Sequence, residues 1–296
     1  MSATPDVTAL RLLIGIASLG SVGAAARQAG MSQPAASKRV VRLERDLGLT
    51  LVLRSATGSS LTTEGQVVVD WARKVLDAYD HLLGAAGSLR NGVNGDLRVA
   101  ASMTIAEHLM PRWIFETRRA HPRLHVGLEV ANSAQVQERV LAGSSDIGFV
   151  EGPHLDPQLQ SKVVATDRLV VVVAPGHPWA TRRRAVRREE LVNTPLVVRE
   201  SGSGTRLTAE NVLGSRCAEP LLELGSNEAV KGAVVAGAGP CILSGLAVDA
   251  EVAQKRLIAV TVRGIDLTRR LRAVWPRGAE LGEPSRWLLD AASVES

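Results

Sequence analysis

The sequence predicts a multi-domain chain: a small helical N-terminal unit closed by a short hairpin, one long helix, and an α/β remainder folded as two lobes. Three observations predict it. Apolar residues recur at helical spacing through most of the first 47 residues. An unbroken three-four repeat then runs from Val68 to Leu89. From Leu97 onward, short β-branched or aliphatic runs alternate with helical stretches, the texture of a mostly parallel sheet covered by helices. At 296 residues the chain is long enough for two or three domains.

The N-terminal elements follow in order. Val7, Leu10, Leu13, Ile14 and Ala17 mark a first helix, and Gly20-Ser21 ends it. An Ala-rich second helix from Gly23 to Ala29 stops at Gly30, a good C-terminal cap. Ser32 is an N-cap, with Pro34 in the first turn where a missing N–H costs nothing. The third helix runs to about Leu47, with an apolar stripe of Ala36, Val40, Leu43 and Leu47. At about 100° per residue, Pro34, Lys38, Arg42 and Arg45 gather on the opposite face. Residues 51–62 read as a hairpin turning at Thr57-Gly58, and Thr62 caps the long helix from 63 to about 90. In that helix Val68, Trp71, Val75, Ala78, Leu82, Ala85 and Leu89 form a coiled-coil seam, which predicts a dimer. Asn91-Gly92-Val93-Asn94-Gly95 is a turn-rich hinge.

Composition narrows the function. There are 35 Lys+Arg against 30 Asp+Glu, and residues 20–60 concentrate the excess: six basic side chains against Glu44 and Asp46. Aromatic residues are 3%, too few for the stacking platforms that hold single-stranded nucleic acid. Two cysteines, Cys217 and Cys241, make no CxxC motif and are expected to be buried structural thiols in a reducing compartment. No apolar run is long enough to span a membrane. Asp6 and the lack of a basic segment before the first apolar stretch argue against a secretory signal, so a cytoplasmic protein is expected. The six histidines form no metal-ligand pattern, and neither a P-loop nor a Gly-x-Ser-x-Gly elbow occurs. No enzyme activity, metal or cofactor is expected.

Two short helices joined by a glycine turn, the second with a basic outer face, form a helix-turn-helix pattern for double-stranded DNA. Gln33, Pro34, Ser37 and Lys38 stand at the N-terminus of the second helix, where side chains reach base edges. Arg42 on the helix suits the phosphate backbone, and Arg54 on the hairpin suits the backbone or the minor groove. In the α/β part, three polar strand-to-helix junctions face one another in the expected topology: Ser102-Met103-Thr104, Ser201-Gly202-Ser203-Gly204-Thr205, and Ser226-Asn227. Hydroxyls and free N–H groups at helix starts suit negative charge, so a small anion is expected between the lobes.

The stretch SVGAAARQAGMSQPAASKRVVRLERDLGLTLVLRSATGSSLTTEG resembles the N-terminal winged helix-turn-helix of LysR-type transcriptional regulators. Its S-x-Q-P-A-x-S, L-E-x-x-L-G and R-x-x-G-x-x-L-T-x-x-G patterns are all present. LRVAASMTIAEHLMP, DIGFVEG, HPWA, RESGSGTR, LELGSNEAVKGAV and AGAGPCILS follow in the family's order, the last four like the branch that includes CbbR- and CysL-type regulators. The resemblance implies a winged helix-turn-helix over 1–62, a dimerising linker helix over 63–91, and an effector-binding domain over 92–296 similar to type 2 periplasmic binding proteins. Lobe I would span about 92–164 and 267–296, and lobe II about 165–266, with two crossing strands as hinge. It implies a homodimer assembling to a homotetramer, with an effector held by Ser102, Met103, Thr104, Ser133, Ser201, Ser203, Thr205 and Asn227. The alternative from another class is a periplasmic-type solute-binding protein, which leaves the first 90 residues without a role.

Overall fold

The computed structural model describes residues 6–55, 58–91, 96–214 and 217–293, and side chains are described for all of these except 54–55, 58, 77, 80–81 and 83–91. Two compact units divide the chain at Gly87–Ser88.

In the first unit, helices α1 (Val7–Leu19), α2 (Val22–Gln28) and α3 (Gln33–Leu47) precede the hairpin β1 (Val52–Ser55) and β2 (Gly58–Leu61) and the long helix α4 (Thr63–Asn91). Asp6, Ser21 and Ser32 cap the three short helices with side-chain oxygens, each satisfying a backbone N–H that the helix leaves free. The turn into α3 passes through Gly30 at φ +67°, a left-handed conformation that side chains resist. The core is Leu10, Leu13, Ile16, Ala25, Ala36, Val40 and Leu43, closed from α4 by Val69, Ala72 and Leu76. Leu47, expected on the buried stripe of α3, is exposed, because the helix runs past the core there. The hairpin pairs Val52 with Leu61 and Arg54 with Ser59. Thr57, placed in its turn by the sequence, lies outside the described residues.

One carboxylate ties α3 to the hairpin. Glu44 Oε1 accepts from the backbone N–H of Leu51 at 2.8 Å and of Val52 at 3.1 Å. Both residues are buried, so losing the acceptor strands two donors away from water. Glu44→Ala is expected to destabilise this unit by about 1–3 kcal/mol, whereas Glu44→Gln, which keeps an acceptor, costs less. Urea unfolding followed by circular dichroism measures the difference, and equal losses for the two variants would contradict the bond's role. Thr62 completes the corner: its hydroxyl donates to the Thr50 carbonyl at 2.7 Å and caps Gly65 N–H at 2.8 Å. A Cβ on Gly65 would stand 2.2 Å from the Leu51 carbonyl oxygen, so only glycine lets α4 start this close to the hairpin.

In the second unit the elements run β3 (Asp96–Ser102), α5 (Met103–His108), α6 (Met110–Ala120), β4 (His125–Ala131), α7 (Ser133–Leu141), β5 (Ile147–Val150) and β6 (Leu159–Val173). After these come β7 (Val186–Arg187), α8 (Arg188–Val192), β8 (Val197–Arg199), α9 (Gly204–Leu213), β9 (Leu222–Leu224), α10 (Asn227–Val235), β10 (Cys241–Ser244) and α11 (Gly245–Ala253). The chain closes with β11 (Ile258–Val260), β12 (Val262–Arg263), β13 (Thr268–Pro276) and α12 (Glu283–Ser293). The strand order is β4-β3-β5-β13-β6-β10-β8-β9, with β11 also on β6.

The fifteen-residue β6 is the element common to both lobes. Leu159 to Arg168 pair with β13, and Leu169 to Val173 pair with β10 or β11. Each lobe has its own cores. Leu97, Ile105, Met110, Trp113, Phe149 and Leu288 fill one side of the first, and Val136, Val140, Val150 and Val274 the other. Val171, Leu191, Leu213 and Ile242 sit on one face of the second, with Val172, Val230, Val234 and Leu243 opposite.

Of the two thiols expected to be buried, only Cys241 is; Cys217 is exposed, on the segment after α9. Burial pushes the Cys241 thiol well up, and partial burial with the nearby Glu210 carboxylate raises Cys217 too. Both therefore stay protonated at neutral pH, the opposite of what a reactive thiolate needs. No helix among the described residues is long and apolar enough to cross a membrane, and no group of three or more His, Cys, Asp or Glu among them is arranged to hold a metal.

Candidate functional site

The first candidate site is the outer face of α3. Ser32 and Pro34 start the helix and Gly48 at φ +67° ends it, while Ala36, Val40 and Leu43 anchor it from beneath. Gln33, Pro34, Lys38 and Arg42 are therefore exposed together, and Ser37 is half-buried between them. Arg42 lies 3.6 Å from the Asp46 carboxylate, and Arg45 lies 3.8 Å from it. Both guanidiniums are largely exposed while the Asp46 carboxylate they share is mostly covered, and contacts longer than a hydrogen bond leave the arginines able to turn to a phosphate. Arg39 pairs with Asp6, and the two line one shallow pocket together with Lys38, Arg42 and Asp46. Arg54 lies on β1, but its side chain is outside those described.

The long helix has two faces. Gly65, Val69, Ala72 and Leu76 are buried on the first unit's core. Trp71, Val75, Ala78 and Leu82 are exposed in a row spaced four, three and four, with Val67 and Tyr79 beside them. Val68, assigned by the sequence to the seam, instead packs partly against the core, since it lies between the two faces. Ala85 and Leu89 are outside the described side chains.

The second candidate site lies where the two lobes meet. Its centre is Arg269, which no sequence motif marks. Arg269 stands directly opposite Asp167 in the β13–β6 ladder, and both are buried. Its Nε donates to Asp167 Oδ2 at 2.7 Å, Nη1 to the Thr205 hydroxyl at 3.0 Å, and Nη2 to the Thr104 hydroxyl at 3.3 Å. One guanidinium thus holds the first turn of α5 in one lobe and the first turn of α9 in the other. Glu151, just after β5, is 2% exposed. Its Oε1 accepts from the Thr205 hydroxyl at 3.2 Å, and its Oε2 forms an ion pair with Arg269 Nη2 at 3.4 Å. Asp167 is held further by the Ser244 hydroxyl at 2.9 Å.

The other predicted residues are distributed around this centre. Ser102 is buried and its hydroxyl has no hydrogen-bond partner among the described residues. Ser133 Oγ accepts from the Glu151 N–H at 3.2 Å. Met103 Sδ accepts from the Asn227 N–H at 3.3 Å, and Asn227 Nδ2 donates to Glu107 at 3.1 Å, joining the third junction to the first. Buried Arg199 braces Asn227 Oδ1 at 2.6 Å and holds Glu200 in a bidentate pair. Two residues stand apart. Ser203 uses its hydroxyl to cap α9 at the Arg206 N–H, and Ser201 is exposed, with its carbonyl engaged by Asn132 Nδ2 at 3.3 Å. Arg206, next to Thr205 in the chain, is committed to Glu210 and Glu223.

Alternation held a signal for the unmarked centre. Arg269, Leu271 and Ala273 share the inward face of β13, so a charge sits in an apolar register there. Its partner across the ladder follows only from the strand pairing.

Comparison with known proteins adds an independent line. Residues 7–66 match the family model described as bacterial regulatory helix-turn-helix protein, lysR family, and residues 90–294 match the LysR substrate binding domain. An uncharacterised HTH-type transcriptional regulator of Mycobacterium tuberculosis (strain ATCC 25618 / H37Rv) is 44% identical over 288 residues, covering 94% of this chain and 92% of that protein. The regulator CbbR of Xanthobacter flavus is 28% identical, covering 95% and 85%. Full-length CbnR complexed with its target DNA shares the fold at a TM-score of 0.75 and 20% identity, over 97% of this chain and 98% of that one. The Synechocystis PCC6803 CcmR regulatory domain in complex with 2-PG matches at a TM-score of 0.61 and 29% identity, over 67% and 95%.

Proposed function

The chain belongs to the LysR family of DNA-binding transcriptional regulators with an effector-binding domain, not to an enzyme class, and on that premise we propose that α3 reads the major groove while a small anion at the Arg269 junction sets the angle between the lobes. The exposed group Gln33, Pro34, Lys38 and Arg42 on a well-anchored helix carries the first half. Gln and Ser suit base edges, and the arginines suit phosphates. The second half rests on one guanidinium shared by Thr104 and Thr205 across the lobes. Inorganic oxyanions and compact carboxylates are the favoured effectors, a choice supported by the 2-PG bound to the CcmR regulatory domain.

The exposed row on α4 supports a homodimer, and pairing of dimers would give the tetramer. Binding in the cleft shifts the population of lobe angles, and this change reaches the DNA-binding units of the oligomer. On this reading the protein works where its operator DNA lies, in the cytoplasm. The helix-turn-helix match over residues 7–66 leaves the solute-binding alternative with no account of the first unit.

Fluorescence anisotropy with the DNA upstream of the protein's own gene tests the groove assignment. Ser37→Ala is expected to weaken specific binding more than binding to random DNA, by about 1–3 kcal/mol for each base-edge bond removed. Arg42→Ala and Arg54→Ala are expected to weaken both alike and to lower the salt slope by about one for each phosphate left unneutralised. A specific-to-random ratio unchanged in Ser37→Ala would place the wrong face on the bases.

A further inference from the structure

The inter-lobe junction holds one guanidinium against two carboxylates. Asp167 is bound to Arg269 in the better geometry: it is opposite in the ladder, it accepts at 2.7 Å, and Ser244 steadies its other oxygen. Glu151 is the looser partner. Its Oε2 is buried, accepts no hydrogen bond from the described residues, and stands 3.4 Å from Arg269 Nη2. Its other oxygen is held by Thr205, the hydroxyl that also receives Arg269 Nη1. The Glu151 carboxylate therefore lies where Arg269 and Thr205 present their donors, and the Ser102 hydroxyl, without a partner among the described residues, is on the neighbouring strand end.

We propose that Glu151 is an internal competitor for the effector, a carboxylate of the protein that stands in the anion position at Arg269 and Thr205 and must be displaced before an external anion binds. This rests on the reading of the cleft as an anion site. Two consequences follow from the charges. An arriving anion has to replace the Glu151 oxygens at Arg269 and Thr205, so the site favours ligands that offer these donors more acceptor oxygens than one carboxylate. Displacing Glu151 also breaks its bond to Thr205, which crosses from one lobe to the other, so binding and lobe movement are one event.

The test is calorimetric titration of the full-length protein with inorganic phosphate and, separately, sulfate, on the wild type and on Glu151→Gln. The amide keeps an acceptor for Thr205 and removes the charge. Two like charges about 4 Å apart repel by an amount that depends on the local dielectric, and relieving that repulsion is expected to raise anion affinity about ten- to a hundredfold. Glu151→Thr, which removes the same charge with a smaller side chain, is expected to move in the same direction and guards against a local fault of the amide; melting curves report that each variant is folded. Binding to the variants but not to the wild type also supports the competitor role. If both anions bind the wild type and the variants bind them equally or more weakly, Glu151 is not a competitor and the anion reading stands. If neither anion binds wild type or variants, the anion reading fails and this proposal fails with it.

Discussion

Leu82→Asp is expected to convert the protein to a smaller species in light scattering, with a large loss of affinity for its operator. Leu82 is 65% exposed and Trp71 62%, and with Val75 and Ala78 they form an apolar row on α4. The opposite face is already committed, since Val69, Ala72 and Leu76 are buried in the helical core. An apolar stripe of this spacing is stabilised by a second helix, and knobs-into-holes packing would seat Leu82 near the middle of the seam. An unpaired carboxylate there costs several kcal/mol of desolvation. Even about 3 kcal/mol corresponds to roughly a hundredfold in the dissociation constant. Because Leu82 makes no contribution to the core of its own unit, thermal unfolding of the helical unit should change little. An unchanged mass would show that this row is not a dimer seam.

Gly204→Ala is expected to be the most damaging single methyl in the effector-binding unit. A Cβ at Gly204 would stand 2.5 Å from Ser133 Oγ, 2.6 Å from Glu151 Cγ and 2.7 Å from the Gly152 backbone nitrogen. All three belong to the opposite lobe, and the backbone nitrogen cannot turn aside. Overpacking of this kind costs about 1–3 kcal/mol. In a unit of this size each kcal/mol lowers the melting temperature by about 2–4 °C, so a fall of roughly 2–12 °C is expected in scanning calorimetry. The relief available is for the lobes to part, which would pull Thr205 from Glu151 and loosen the Arg269 bridge. Gly127→Ala, where nothing lies within 4 Å, is the matched control and should melt near the wild type. Equal melting of the two variants would mean that the lobes do not rely on this close approach.

Local rules decided much of this protein from its sequence. Ser32, Pro34 and Gly30 delimit α3 through capping and left-handed backbone, and these depend on neighbours a few residues away. The three-four repeat marked the exposed row of α4 for the same reason, because helical periodicity places side chains without knowledge of the rest of the fold. The polar junctions at Ser102-Met103-Thr104 and Ser201 to Thr205 were legible as strand ends opening helices, and the structure brings Thr104 and Thr205 onto one guanidinium.

What joins them was not legible. Arg269 meets Thr104 across 165 residues and Asp167 across 102, through strand pairing that no local pattern encodes. Glu44 could be read as a charge on a helix, but only the return of the chain at Leu51 and Val52 made it the hairpin's anchor. Val68 fitted the heptad by count, but it lies between the two faces of α4 and packs partly against the core. The sequence by itself determined the elements, their caps and the basic face of α3, because those follow from backbone sterics and hydrophobic spacing. Only the tertiary structure decided the charge balance of the cleft, because a buried carboxylate and a buried guanidinium acquire their meaning from partners that burial forces them to find.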